Sequence, residues 1–274
     1  MSTSSSVQTS AVPFGQKIAF GFGMLANQMF PAALGVFIIV LVQDLGFAAL
    51  LWGIIQFLPR IFDAITDPVM GFISDNTRSK WGRRRQYVFI GAILMGIAYV
   101  AMWQLHKGDG VVYNFIYFLS WSLVFYLGLT IFSVPYVAMG YEISDDFHER
   151  TNIMAVAQFI GQWAWVVAPW FWVILYDPAW FPEGAGQGVR DLSVWVAIPC
   201  TLFALIPAIF IKSKSTLDRD DFVPISVGRV VTSIKDIFTG AFEAFRIKQF
   251  RQIAGATFLI FNSFNVIAAF TFLI

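Results

Sequence analysis

The sequence predicts an all-α membrane protein with six complete hydrophobic spans and the start of a seventh. Only 13% of its 274 residues are charged and 58% are hydrophobic, whereas soluble domains carry about 25% charged residues. The charged residues fall between apolar runs, each long enough to cross a hydrocarbon core about 30 Å thick. Because a helix satisfies its own backbone hydrogen bonds in lipid, each run is expected to form a membrane helix.

Composition divides the chain into four parts. Residues 1–15 are rich in serine and threonine and are expected to be disordered, without a cleavable signal pattern. Residues 16–212 contain the six complete spans, residues 213–249 form a polar and then amphipathic segment, and residues 250–274 begin a seventh span. The hydrophobic runs predict spans at 17–43, 45–74, 85–106, 111–140, 151–176, 192–212 and 250–274.

Basic residues are concentrated in one of the short loops. The loop after the second span holds Arg78, Lys80 and the arginine run 83–85, whereas the loops after the first, third and fifth spans hold almost none. Cytoplasmic loops of membrane proteins carry an excess of lysine and arginine. The amino terminus and the 213–249 segment are therefore predicted to be cytoplasmic.

The 213–249 segment becomes amphipathic in its second half. Apolar residues such as Val230, Ile234 and Phe242 recur at helical spacing, with charges of both signs largely off that face. This pattern favours a helix lying in the membrane interface, and a partner-binding helix remains an alternative. The seventh span then reaches Ile274 without a polar flank, so we expect the amino-terminal part of a longer protein, or a truncated product.

Several classes of protein find no support. A net charge of +1 gives no electrostatic case for nucleic acid. The single cysteine, Cys200, cannot form an internal disulfide framework. No Ser/His/Asp set, metal-ligand cluster or phosphate loop is visible, so neither an enzyme nor a bound cofactor is expected.

The second span carries charges that lipid does not tolerate cheaply. Arg60, Asp63 and Asp67 lie within it, and an ionisable residue at membrane depth indicates a functional site. Asp63 and Asp67 are four residues apart, which places them on one helical face, where they can share a metal cation or a proton. Thr66 adds a hydroxyl of the kind that hard cations accept. An Arg60–Asp63 ion pair that only locks helix packing remains the alternative.

Polar residues also occur in the fourth and fifth spans. Thr130 and Ser133 are three residues apart, and by spacing alone they are typical of helix-packing positions. Gln158 and Gln162 share one face of the fifth span. Because amides in lipid need hydrogen-bond partners, both are candidates for contact with a solute.

Three motifs carry a resemblance to a known family. They are RIFDAITDPVMGFISDNTRSKWGRRR at 60–85, SVPYVAMGYEISDD at 133–146 and FHERT at 147–151. They resemble the glycoside–pentoside–hexuronide:cation symporters, the melibiose-permease-like branch of the major facilitator superfamily. The resemblance implies the amino-terminal six-helix bundle of that superfamily, built from two inverted three-helix repeats, plus the start of helix seven.

The resemblance assigns a coupling-cation site to Asp63, Thr66, Asp67 and Thr130. The coupling ion is sodium or a proton, and Asp63 and Asp67 are the expected metal ligands if it is sodium. No other cofactor is implied.

The expected solute site departs from that of melibiose permease. Gln28 and Ser133 stand where that permease has aspartates, and Gln158 stands where it has an arginine. Neutral amides and hydroxyls still bind a polyol, but without charge-assisted hydrogen bonds. The candidate solute-binding residues are Asn27, Gln28, Arg60, Ser133, Tyr136, Gln158 and Gln162.

The resemblance also implies a cytoplasmic gate that locks the two halves of such a transporter together. Aspartate and arginines of the second loop are expected to take part, with Asp145, Asp146 or Glu149 as acidic partners of the arginines. The candidate gate residues are Asp75, Arg78, Arg83, Arg84, Arg85, Asp145, Asp146, Glu149 and Arg150.

The function implied is secondary active transport in the lipid bilayer. We expect sodium- or proton-coupled symport of a glycoside or sugar-like small-molecule solute, in the bacterial inner (plasma) membrane, completed by a missing carboxy-terminal six-helix half. A lysophospholipid or other amphipathic solute is one alternative. A truncated membrane subunit that does not transport is another.

Overall fold

Helices account for all the regular structure in the described residues, as predicted. The computed structural model describes residues 12–211, 216 and 225–271, and within these ranges no strand occurs. The expected disorder of 1–15 falls mostly outside the described residues, although Phe14 and Gly15 already belong to the first helix. Most of the polar part of 213–249 also lies outside them.

Two units make up the chain, 1–224 and 225–274. The first contains seven helices among its described residues, two of which, α1 and α2, form one span. Their bounds are α1 Phe14–Phe37, α2 Ile39–Gln43, α3 Ala49–Asp75, α4 Arg85–Met102, α5 Val111–Glu142, α6 Phe147–Leu175 and α7 Ala185–Phe210.

Six of the described spans are long and apolar enough to cross a membrane, which confirms the prediction of six complete spans. The sixth begins at Ala185 rather than near 192. Gly184 has a φ of 95° and turns the chain just before it, a conformation that glycine adopts without strain. Arg190, in the first two turns of α7, donates from Nη1 to Leu105 O at 2.9 Å, so the helix end accommodates its charge.

The packing of the bundle leaves one helix on the outside. Helix α1 packs against α6 and α7, and α4 packs against α5 and α7. The α4–α5 contact is close because of small residues: a Cβ added to Gly128 would lie 2.7 Å from the backbone nitrogen of Met95. Helix α3 rests mainly on α5 and is largely exposed along its other faces.

Aromatic side chains fill the centre of the bundle. Tyr99 on α4 lies with its ring centroid 5.0 Å from that of Phe30 on α1 and 5.6 Å from that of Phe125 on α5. Trp103 extends the cluster with a centroid 5.1 Å from that of Phe118. Since lipid gives little hydrophobic drive for helix association, such contacts act through close packing, and each adds about 0.5–1.5 kcal/mol.

The second unit contains helices α8 Val227–Arg246 and α9 Lys248–Thr271. Ser226 caps α8 by accepting a hydrogen bond from Arg229 N, and Phe245 meets Phe250 edge to face at 5.2 Å. The predicted amphipathic helix is thus confirmed as a helix. Its place in the membrane interface, and the crossing of the membrane by α9, stay predictions.

Candidate functional site

The α3–α5 contact brings together three of the four residues assigned to a cation. The Thr130 hydroxyl donates to Asp67 Oδ1 at 2.8 Å. Thr66 Oγ1 lies 3.4 Å from Thr130 Oγ1 and is 3.1 Å from Phe62 O, to which it donates within α3. Thr130 therefore places a hydroxyl from α5 beside Thr66 and Asp67 of α3. The family resemblance implied a role for Thr130 here, whereas the spacing of residues along the sequence did not.

The hydrogen atoms of both hydroxyls are already used in hydrogen bonds. A threonine hydroxyl has one hydrogen and two lone pairs. Thr66 directs its hydrogen to Phe62 O and Thr130 directs its own to Asp67. What remains between α3 and α5 is a group of oxygen acceptors, which is the ligand type that hard cations prefer.

Asp63 adds an unsatisfied oxygen beside this cluster. Its Oδ1 atom is buried and has no hydrogen-bond partner among the described residues. Buried carboxylate oxygens are normally paired, because an unpaired one loses its hydration without compensation. The residues present therefore fit a cation or a proton better than they fit a closed network.

Arg60 lies against an aromatic ring and is not ion-paired with Asp63 in this structure. Among the described residues no ion pair joins the two. The Arg60 guanidinium carbon instead lies 5.7 Å from the ring centroid of Tyr126 on α5. The alternative of a packing ion pair is thus not observed.

The described residues also contain no cluster of three or more His, Cys, Asp or Glu able to hold a metal ion, so a cation here would rely on two carboxylates plus hydroxyls.

Two of the expected solute residues form a hydrogen-bonded chain with a tryptophan. Trp165 Nε1 donates to Gln28 Oε1 at 2.9 Å, and Gln28 Nε2 donates to Gln158 Oε1 at 2.9 Å. An indole N–H can only donate, so the Gln28 atom that it meets is the oxygen. The Gln28 nitrogen then faces the Gln158 oxygen. Among the described residues the Gln158 N–H groups have no acceptor, so they can donate to a solute.

Tyr136 was expected to contact a solute, but in the structure it lies in the packing between α1 and α5. Its side chain is fully buried, and its hydroxyl donates to the Phe20 carbonyl oxygen of α1. The ring stacks between Phe20 and Phe132, at centroid distances of 4.5 and 5.2 Å. Tyr136 therefore serves the α1–α5 contact in this conformation.

The remaining candidate solute-binding residues are only partly buried or exposed. Asn27 and Ser133 are half-buried, and Gln162 is exposed on α6. Asn27 Nδ2 lies 4.0 Å from Met24 Sδ, a weak contact within α1.

The basic loop between α3 and α4 forms a network with a different acid from those expected. Arg83 and Arg84 both pair with Glu142 at the end of α5, the latter through Nη1 at 3.0 Å. Arg84 also pairs with Asp75. The network therefore joins the ends of α3 and α5 within the described unit, at what we call the basic-loop end of the bundle.

Two of the three expected acids have other partners. Asp146 caps α6 by accepting from Glu149 N at 2.7 Å, which also explains why α6 begins at Phe147 rather than 151. Glu149 pairs with Lys17 at 3.0 Å and accepts from Val12 N at 2.7 Å. Lys17 is buried and donates further to Asn152 Oδ1 at 3.1 Å, which fastens the start of α1 to that of α6.

Of the other gate candidates, Arg85 makes a structural contact and the rest are exposed or half-buried. Arg85 donates from Nε to Ala208 O at 2.7 Å and from Nη2 to Ile209 O at 3.0 Å, at the carboxyl end of α7. Basic side chains stabilise the unsatisfied carbonyls at such an end. Arg78 and Asp145 are exposed and Arg150 is half-buried.

Sequence reasoning missed Lys17, Tyr126, Glu142 and Trp165. Glu142 stands inside the quoted motif of the fourth span, and its place as the last residue before a polar turn was the available signal. The i, i+3 pattern of Asp146 and Glu149 is typical of a helix cap and was the available signal that Asp146 caps α6. Trp165 lies seven residues after Gln158, hence on the same helical face.

Comparison with known proteins agrees with the resemblance found in the motifs. A family model described as MFS/sugar transport protein matches residues 19–259. The lactose permease of Leuconostoc lactis is 30% identical over 82% of this chain and 37% of its own length. An uncharacterised symporter of Synechocystis is 27% identical over 77% of this chain and 40% of its own length.

A third relative has a different kind of substrate. The sodium-dependent lysophosphatidylcholine symporter 1 of Mus musculus is 31% identical over 51% of this chain and 27% of its own length. The chain spans well under half the length of these curated relatives. Its six apolar helices and the matching family model make it an integral membrane protein. By the extent of that match, the chain belongs to the MFS/sugar transport protein family, in the melibiose-permease-like branch that its motifs resemble.

Proposed function

We propose that the complete protein is a secondary active transporter that couples the entry of sodium or a proton to the uptake of a glycoside or related small solute. The observation that carries this proposal is the cluster of oxygen acceptors between α3 and α5. It combines the Asp63 and Asp67 carboxylates with the Thr66 and Thr130 hydroxyls, and one buried carboxylate oxygen finds no hydrogen-bond partner in the part of the chain that the structure describes. A scaffold protein has no use for such a cluster at membrane depth.

Coupling follows from the charges of the cluster. Without a cation, Asp63 and Asp67 repel one another, and burial of the Asp63 Oδ1 atom disfavours the charge of Asp63. A bound sodium ion or proton relieves that repulsion, so the state that binds solute becomes easier to reach. The solute then strengthens cation binding by the same factor, as linkage requires.

The exposed side of α3 supports a transporter whose second half lies beyond this chain. Arg60 and Asp67 are exposed there, and charged residues at bilayer depth face protein or a water-filled cavity rather than lipid. Transporters of this general kind place their sites between two repeated halves. We infer that a carboxy-terminal half forms the opposite wall, in keeping with the limited share of the relatives that this chain covers.

We infer an orientation with the amino terminus and the basic-loop end in the cytoplasm. The excess of arginine in the loop between α3 and α4 supports this orientation. Two of the relatives described above come from bacteria, which favours the bacterial inner membrane as the location.

Uptake by the complete protein tests the proposal. Radiolabelled glycosides are supplied with and without sodium at two pH values, and cation-stimulated uptake is expected for at least one of them. Asp63→Asn and Asp67→Asn should each abolish the stimulation, whereas Asp191→Asn, which changes an exposed acid on α7, should retain it. Unchanged cation-driven uptake in both site variants would rule out the assignment.

A lysophospholipid is the second candidate solute. It is favoured by the relative from Mus musculus, whose name specifies lysophosphatidylcholine, and by the neutral pair Gln28 and Gln158. Competition for uptake between glycosides and lysophosphatidylcholine in proteoliposomes distinguishes the two. Inhibition by the lysolipid alone would replace the glycoside proposal.

A further inference from the structure

We propose that Tyr126 is a positioning residue that holds Arg60 away from the acidic pair and so keeps the cation site open. This inference rests on the proposed cation site. It concerns a contact between α3 and α5 that lies beside the cluster but supplies none of its oxygens.

Arg60 is the positive side chain closest in sequence to the acidic pair. It precedes Asp63 by three residues on α3, a spacing at which side chains on a helix meet readily. An arginine that is free to move would pair with Asp63, because a guanidinium offers several donors to a carboxylate. The structure shows no such pair among the described residues.

The Tyr126 ring accounts for the position of Arg60. The Arg60 Cζ atom lies 5.7 Å from the ring centroid, within the range of a cation–π interaction. Tyr126 is only 9% exposed, so its ring is held by the packing of α5, whereas Arg60 is exposed. The ring therefore sets where the guanidinium rests.

Arg60 and an incoming sodium ion therefore compete for the Asp63 carboxylate. When Arg60 rests on Tyr126, Asp63 Oδ1 is left buried without a hydrogen-bond partner. When Arg60 pairs with Asp63, an incoming sodium ion must first displace it. The apparent sodium affinity is then proportional to the fraction of molecules in which Arg60 rests on the ring. Tyr126 raises that fraction.

Three variants separate this role from simple packing of α3 on α5. Tyr126→Phe keeps the aromatic face and removes only the hydroxyl. Tyr126→Leu removes the face and keeps an apolar side chain. Arg60→Gln removes the internal competitor, so it should cancel the effect of Tyr126→Leu if the two residues act together.

The experiment measures sodium binding without any solute. The complete protein is purified in detergent, and its thermal unfolding midpoint is followed against sodium chloride, with choline chloride holding the ionic strength constant. A ligand that binds the folded state raises that midpoint with concentration. The sodium concentration for half of the effect is the quantity compared between variants.

We expect Tyr126→Phe to stay within about twofold of the wild type, since the ring face is kept. Tyr126→Leu should raise the half-effect concentration by roughly 3- to 30-fold, the equivalent of a lost cation–π contact. In the double variant Arg60→Gln/Tyr126→Leu, the concentration should equal that of Arg60→Gln alone.

Each other result overturns the inference. An unchanged Tyr126→Leu, or an increase that persists in the Arg60→Gln background, shows that Tyr126 does not act through Arg60. If Tyr126→Leu does not fold, Arg60→Gln decides alone, because weaker sodium binding in it would mean that Arg60 supports the site. A wild type without any sodium response overturns the sodium site itself, and the inference falls with it; a responsive wild type with an indifferent Tyr126→Leu overturns the inference only.

Discussion

Thr130 and Asp67 are joined across the α3–α5 contact by a hydrogen bond of 2.8 Å, in which the threonine hydroxyl donates to the carboxylate. The bond crosses between two membrane helices at the centre of the proposed cation site. It fixes the direction of Asp67 Oδ1 and uses the only hydrogen of Thr130, so the hydroxyl lone pairs are left for a cation.

Removing this hydroxyl should weaken cation coupling more than shortening the side chain does. In Thr130→Val the carboxylate loses its donor and the site loses an oxygen, and we expect the sodium concentration for half-maximal uptake to rise roughly tenfold or more. Thr130→Ser keeps the hydroxyl and should remain close to the wild type. Equal effects of both substitutions would mean that the methyl packing, and not the hydroxyl, matters.

Trp165→Phe should change solute recognition without changing cation coupling. Loss of the indole N–H frees the Gln28 amide to turn over, and the Gln158 amide can turn with it. We expect the KM for the transported solute to rise about 2- to 10-fold, as for one neutral hydrogen bond, with the sodium dependence unaltered. The matched control is Trp163→Phe, an exposed tryptophan on the same helix; an equal change in the control would contradict a role for the amide chain.

Glu142→Gln should loosen the basic-loop end of the bundle. Glu142 pairs with both Arg83 and Arg84, so its neutralisation leaves two guanidinium groups without that partner. We expect a lower unfolding midpoint for the complete protein, and a smaller difference from the wild type in high salt, because these groups are partly exposed and salt screens them.

The control for Glu142→Gln is Asp145→Asn, which neutralises an exposed acid three residues further along the chain. It should leave the midpoint unchanged. A larger effect of Asp145→Asn than of Glu142→Gln would instead favour the acid partners expected from the sequence.

Lys17 and Glu149 should show strong coupling in a double-mutant cycle. Glu149→Gln removes the carboxylate that faces Lys17 at 3.0 Å, and Lys17 is only 8% exposed, so a nearly buried charge is left without its counter-ion. We expect Glu149→Gln to lower the unfolding midpoint more than the double variant Lys17→Met/Glu149→Gln does. Additive effects of the two substitutions would show that the pair does not act as a unit.

Periodic features of the sequence predicted the six spans and the shared helical face of Asp63 and Asp67. The apolar runs gave the six spans because each must cover the same thickness of lipid. The four-residue interval between Asp63 and Asp67 placed both on one face because the helix imposes its own period. Thr130 was less accessible to such reasoning, since a hydroxyl in a membrane helix serves packing as readily as ligation.

The sequence alone could not show which of several chemically equivalent acids pairs with the loop arginines. Four acids follow the fourth span closely or end it, and which of them meets the loop arginines depends on where α5 stops and α6 starts. Asp146 is taken by the cap of α6 and Glu149 by Lys17, and of the two remaining acids it is Glu142, at the end of α5, that pairs with the arginines. Tyr136 illustrates the same limit, because the stacking of its ring between Phe20 and Phe132 joins residues far apart in the chain.

The two hydrogen bonds from Arg85 to the last carbonyls of α7 have a mechanical consequence. Together with Arg83 and Arg84, they make one run of three arginines a common anchor for the ends of α3, α4, α5 and α7. These four ends must then tilt as a single block when the bundle moves. In the proposed transport cycle we expect bending to be concentrated further along the helices, where Pro59 and Pro68 in α3 and Pro135 in α5 interrupt the backbone hydrogen bonds. Those prolines lie close to the cation cluster in the sequence. We therefore expect the basic-loop end to stay rigid and the hinge to lie at the proposed cation site.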